Sequence, residues 1–235
     1  MVGLMASLLD LALPRECGGC DAIDSSWCGR CEEDLRREPV QVRPRVDPGV
    51  PCWALGPYSG PRRGAVLALK ERNRHDLAVP LGSAVAEAIG ALRIFGHVDP
   101  PELAQLVLIP APTRRRAARS RGGDPVRRVA DAAAAMLESN ERVCVPPLLR
   151  MGSRAVDSVG LSAAARAENV AGRIHLVRPS RSRRGRRAEP VAEPGMRTVL
   201  LIDDVLTTGA TANESVCVLN EYGIRVDGIL VVAAV

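Results

Sequence analysis

A chain of 235 residues, 46% of them apolar, is long enough for one α/β domain and a small appendage, and needs no disulfides to support its core. Its net charge of +5 is uneven: the first fifty residues carry six Arg against nine Asp and Glu, a balance of −3, so the rest carries +8 and any anion belongs there. Lys70 is the only lysine among 32 basic residues, and with Ala abundant this is a general composition bias, so no Arg cluster carries weight by itself.

Leu4, Leu8, Leu9 and Leu11 fit one face of a short helix that runs into Pro14. Residues 4–13 have no basic residue before them, include Asp10 and are too short to span a bilayer, so neither a signal peptide nor membrane insertion is expected. Paired cysteines follow, and then residues 38–50, whose three prolines and mixed charge read as a linker. Beyond it the pattern predicts a strand at 52–58, helices at 61–71 and 77–92, a buried strand at 105–109 and a helix at 125–137. A helix at 162–171 and a strand at 174–177 come next. The last elements are a strand at 198–202, a helix at 211–222 and a strand at 225–235. Strands alternating with helices predict an α/β fold with a parallel sheet covered on both faces. Residues 178–195 hold six arginines and three prolines but only one large apolar side chain, Val191, and read as a disordered insertion. A nucleic-acid contact there is the sharper alternative, given the arginines.

Cys17-Gly18-Gly19-Cys20 and Cys28-Gly29-Arg30-Cys31 are two Cys-x-x-Cys units separated by seven residues. Glycines inside the turns let backbone N–H groups face thiolate sulfur, and four thiolates suit one tetrahedral Zn²⁺. A redox pair or an iron–sulfur cluster is the rival reading. Thiol pairs of this kind, with Cys52, Cys144 and Cys217 scattered among apolar neighbours, fit a reducing compartment, and a cytoplasmic protein is expected. The expected organisation is a zinc knuckle in residues 1–40 and an α/β domain in residues 52–235.

The most informative stretch runs from Val199 through Asp203 and Asp204 to Thr207, Thr208, Gly209, Ala210 and Thr211. Four apolar residues make a buried strand, two acids stand at its carboxyl end, and a small hydroxyl-rich turn opens a helix. Paired carboxylates at that edge can accept hydrogen bonds from vicinal ribose hydroxyls. The turn and helix start offer backbone N–H groups and a favourable dipole to a phosphate, and Gly209 lets the backbone close around it.

This stretch resembles the phosphoribosyl-diphosphate loop of type I phosphoribosyltransferases. Together with the four cysteines, Leu69-Lys70, Ile109-Pro110-Ala111-Pro112, Arg121-Gly122, and Gly160-Leu161-Ser162 with Arg166 and Asn169, the chain resembles the ComF family of competence proteins over nearly its full length. The resemblance implies a phosphoribosyltransferase-like domain behind a zinc-binding start, and an association with DNA uptake. It also implies phosphoribosyl diphosphate, or a nucleoside monophosphate, as ligand, with Mg²⁺. Asp203 and Asp204 would hold the ribose hydroxyls, and Thr207, Thr208, Gly209, Ala210 and Thr211 the 5-phosphate. Ala111 and Pro112 would face the diphosphate. Arg121 would join Asp203 and Asp204 in catalysis, with Arg114, Arg115, Arg116, Arg119, Arg150 and Arg154 as further cations for the leaving group. Two departures stand out: Arg121-Gly122-Gly123-Asp124-Pro125 where the family commonly has Arg-Gly-Phe-Asn-Gln, and Asp157-Ser158-Val159 where a Gln is expected before Gly160. Thr207 replaces the Asp that oxopurine-salvage relatives use as a base, which disfavours hypoxanthine and guanine. The competing expectation is a non-catalytic factor that senses a nucleotide while binding single-stranded DNA or competence-machinery proteins. Only five aromatic residues, Trp27, Trp53, Tyr58, Phe95 and Tyr222, weigh against base-stacking platforms.

Overall fold

The computed structural model of the chain describes residues 15–113, 123–139, 141–152, 172–177 and 197–235. The helices expected at 4–11 and 162–171, the arginine-rich segment 178–195, and Arg121 with its neighbouring arginines lie outside them. Within them the chain is α/β. Five helices are α1 (Gly29–Leu35), α2 (Gly60–Glu71), α3 (Ala78–Ile94), α4 (Pro125–Leu137) and α5 (Ala210–Glu221). Eight strands are β1 (Val40–Val42), β2 (Cys52–Ala54), β3 (Gln105–Pro110), β4 (Val143–Cys144), β5 (Leu149–Met151), β6 (Ile174–Leu176), β7 (Arg197–Leu206) and β8 (Gly228–Ala234). Six form a sheet in the order β1-β2-β8-β7-β3-β4. Every pairing in it is parallel except that of β1 with β2.

The central strands carry unbroken apolar runs at 106–110, 199–202 and 229–234 because both faces are covered there. Leu106, Leu108, Leu200, Ile202, Leu230 and Val232 point into one core with α2, α3 and α4. The alternate residues Val107, Ile109, Val199, Leu201, Ile229 and Val231 point into a second core with α5 and the hairpin β5-β6. Side chains alternate across a strand with period two, so one run of apolar residues supplies both cores. The 20-residue stretch His75–Ile94, which includes α3, is the one described helix with the length and mean hydropathy (1.5) of a membrane span. Its buried Leu81, Val85, Ile89 and Leu92 belong to the first core, and Gly82 admits the backbone of α4 at a distance no Cβ would allow.

Three expectations need correction. Residues 38–50 are not only a linker: β1 lies within them as an antiparallel edge strand, and the segment after it crosses the carboxyl edge of the sheet. Three residues flanked by Pro39 and Pro44 give almost no pattern to read, and an edge strand tolerates proline because one side of it needs no partner. The strand expected at 174–177 lies outside the main sheet, paired antiparallel with β5. Ile174 and Leu176 have an apolar face on one side only, which suits a hairpin lying on α5. Finally, β7 continues four residues beyond 202, so Asp203 and Asp204 lie within the strand, with Asp203 opposite Val231.

The cysteine module is continuous with the α/β body. Leu35 shares the first core with Leu55, Leu69 and Leu77. Arg62 is 5% exposed; its Nη1 lies 2.8 Å from Asp34 Oδ2, and its Nε donates to the Leu55 carbonyl at 3.0 Å.

Candidate functional site

Crossover helices leave β3 and β7 in opposite directions. The β3-α4-β4 unit moves toward one edge with its helix on the first core, and β7-α5-β8 moves toward the other with its helix on the second. The carboxyl ends of β3 and β7 therefore flank a topological switch point, where open α/β sheets leave a crevice for ligands. Ala111 and Pro112 follow β3 there, and Ala111 N donates to the Ile202 carbonyl at 2.8 Å, next to Asp203 and Asp204.

The two acids differ in surroundings. Asp204 is 5% exposed, and its Oδ2 lies 2.6 Å from Lys70 Nζ on α2. Asp203 is half-buried and accepts a hydrogen bond from Asp204 N at 2.8 Å. Burial first, and then the adjacent charge of Asp204, push the Asp203 carboxyl up to about 8. Both carboxylates stand on an apolar floor that includes Leu69, Leu81, Val126 and Ile202, which accounts for the desolvation.

The turn beyond them is short. Thr207 is exposed and Thr208 buried, and Gly209 caps α5 in the left-handed region at φ +87°. Thr208 Oγ1 accepts from Ala210 N at a long 3.4 Å, and Thr211 lies in the first turn of α5. One contact had no signal in the sequence. The segment after β1 straps the turn, with Val46 N donating to the Thr208 carbonyl at 2.9 Å and the Val46 carbonyl against Gly209 where a Cβ would otherwise lie.

Asp124, one of the departures from the family pattern, is the N-cap of α4 and accepts from Val126 N at 3.0 Å and Arg127 N at 3.3 Å. Thr113 Oγ1 also donates to it at 2.9 Å, tying together the two ends of residues 114–122. Lys70 is the residue that sequence reasoning left without a role at the site. Its signal was compositional: a lone lysine in a chain that otherwise uses arginine, placed where a compact ammonium meets a single carboxylate oxygen.

The second cluster is formed by Cys17, Cys20, Cys28 and Cys31, whose sulfurs all lie within 4.8 Å of one another. Cys17 and Cys31 are 3.6 Å apart, as are Cys20 and Cys28. A tetrahedral ion with Zn–S bonds of about 2.3 Å needs sulfur–sulfur edges of about 3.8 Å, so the four thiols fit one ion. Cys28 N donates to Cys17 Sγ at 3.4 Å. The Cys20 thiol is lowered to about 6 by the Ala22 N–H and then by Arg30. Burial raises Cys17, but the N–H groups of Cys28, Gly19 and Cys20 outweigh it and bring that thiol below its ordinary value. Burial and the neighbouring sulfurs push Cys31 up, and a cation at the centre would relieve that repulsion.

Comparison with models of known protein families gives no match, and comparison with curated proteins gives none either. The fold and the two clusters define an α/β protein with a mostly parallel sheet, an acidic pair at its switch point and a four-cysteine centre able to hold a metal.

Proposed function

We propose that this chain is a phosphoribosyltransferase-like protein of the ComF type that binds phosphoribosyl diphosphate with Mg²⁺ at the carboxyl edge of β7, with a structural zinc held by Cys17, Cys20, Cys28 and Cys31. The observation that carries the reading is the placement of Asp203-Asp204 and the Thr207–Thr211 turn at the switch point, with Ala111 and Pro112 across the crevice. Asp203 and Asp204 accept the ribose hydroxyls, the turn and the start of α5 take the 5-phosphate, and the end of β3 faces the diphosphate. Bound Mg²⁺ supplies charge neutralisation for the leaving diphosphate. In a transfer reaction a nucleophilic atom of the acceptor bonds to the anomeric carbon as the carbon–oxygen bond to diphosphate breaks, diphosphate departs with that electron pair, and the acceptor loses a proton. Arg121 and the arginines near it are the cations assigned to the leaving group. A thiol-rich metal centre fits the reducing cytoplasm, and the resemblance associates the chain with DNA uptake.

The test is calorimetry with phosphoribosyl diphosphate and Mg²⁺ on the unaltered protein and on Asp203→Asn/Asp204→Asn. Each lost charge-assisted hydrogen bond is worth about 1.5–3 kcal/mol, so the double change should weaken binding by roughly a hundredfold or more. Equal affinity would place the ligand elsewhere. No binding to the unaltered, zinc-loaded protein would reduce the loop to a scaffold feature.

A further inference from the structure

The cysteine module and the acidic pair touch the same helix, α2. Gly64 on that helix meets the Gly19 carbonyl so closely that a Cβ at position 64 would collide with it. Near the start of α2, Arg62 is held by Asp34, at the end of α1. Just beyond its end, Arg72 Nη1 lies 3.0 Å from Asp21 Oδ1, and Arg74 donates to the carbonyls of Glu16 at 2.9 Å and Ser26 at 3.0 Å. Gly18 lies against Leu77 with no room for a side chain. Lys70 sits between these fastenings and reaches Asp204. Gly64 and Lys70 are separated by about 9 Å of α-helix, a stiff element over that length.

We propose that the cysteine module is a positioning brace for the acidic pair: by clamping α2 on both sides of Lys70 it keeps that ammonium on Asp204, and metal occupancy of the module thereby sets ligand affinity at the sheet edge. A carboxylate that orients a ligand must be held in one rotamer by its supporting shell. For Asp204, 5% exposed, Lys70 is the cation that does so among the described residues. Lys70 is thus a positioning residue rather than a catalytic one. If the module loosens, α2 is released at Gly64, Arg72 and Arg74, and the ion pair is lost while every residue of the Thr207–Thr211 turn remains in place. The affinity part of this inference rests on the phosphoribosyl-diphosphate reading; the mechanical part does not.

Gly64→Ala drives a wedge between module and helix without altering a cysteine or the sheet edge, and Lys70→Met removes the ammonium. Hydrogen–deuterium exchange on full-length protein should show faster exchange in Gly64→Ala at residues 65–71 and 203–206 as well as at 17–31, with residues 207–211 unchanged. Cys28→Ser, which empties the module, should give the same pattern. Calorimetry with phosphoribosyl diphosphate and Mg²⁺ should show about tenfold weaker binding for Gly64→Ala and about ten- to hundredfold for Lys70→Met. The double variant should be no weaker than Lys70→Met, because both act through one contact. Losses that multiply in the double variant, or faster exchange confined to residues 17–35, would overturn the brace. Should Gly64→Ala not fold, Arg72→Ala/Arg74→Ala releases the other end of the helix through exposed contacts and must give the same pattern. Absence of binding by the unaltered protein would remove the ligand reading, while the exchange comparison would still decide whether the module controls the acidic pair.

Discussion

Asparagine at position 203 should flatten the pH dependence of stability while preserving the fold, since it keeps the size of the side chain and most of its hydrogen bonding. In the folded chain the Asp203 carboxyl titrates at about 8, raised by burial and by Asp204, whereas in an unfolded chain an aspartate titrates near about 3.9. Between those values the folded protein holds a proton that the unfolded chain has released. The contribution is therefore whole below about pH 4 and is lost as pH rises through about 8. One proton of difference corresponds to about 1.4 kcal/mol per pH unit, which sets a limit of nearly 3 kcal/mol between pH 5 and 7. Partial exposure of the side chain reduces the expected loss to about 1–2 kcal/mol. Urea unfolding at pH 5, 6 and 7 on both proteins measures it: the unaltered chain should lose that much more stability than Asp203→Asn across the range. Parallel profiles would refute the claim that the pair is desolvated by its apolar floor. The same proton has a consequence for binding. A Mg²⁺ complex that requires both carboxylates ionised must displace it, so calorimetry at pH 7 in buffers of different ionisation enthalpy should register release of close to one proton.

Metal analysis of purified protein should find about one zinc per chain, since four thiolates satisfy one tetrahedral ion; none, or visible iron–sulfur absorbance, would contradict the assignment. Gly209→Ala should destabilise by about 2 kcal/mol or more in a denaturant melt, because an L-residue in the left-handed region costs about 1–2 kcal/mol and its Cβ would strike the Val46 carbonyl. Arg62→Met should cost about 3–5 kcal/mol, the effect of leaving one partner of a buried pair uncompensated, and Asp34→Asn in that background should recover part of the loss. Deleting residues 178–193 should leave the melting temperature nearly unchanged, because a stretch whose one large apolar side chain is Val191 has little apolar area to bury; loss of DNA binding with the deletion would assign those arginines to nucleic acid.

Local chemistry made much of this protein legible before its structure. Residues 106–110 and 199–202 are apolar in unbroken runs because parallel strands covered on both faces have no solvent side, and Pro125 after Asp124 marks a helix start by capping and fixed φ. The two Cys-x-x-Cys units announce a common centre because their ligands are near neighbours in the chain. What depends on residues distant in sequence stayed hidden. The strap of Pro44–Val46 over Gly209 rests on a backbone contact that leaves no side-chain pattern. Lys70 and Asp204 are 134 positions apart, and only the packing of α2 onto the first core of the sheet brings them to 2.6 Å. The switch point is a property of strand order, decided when β8 inserts between β2 and β7. Periodicity and capping are written residue by residue, whereas register, strand order and long-range ion pairs are settled by which surfaces bury the most apolar area together, and that is a property of the whole chain.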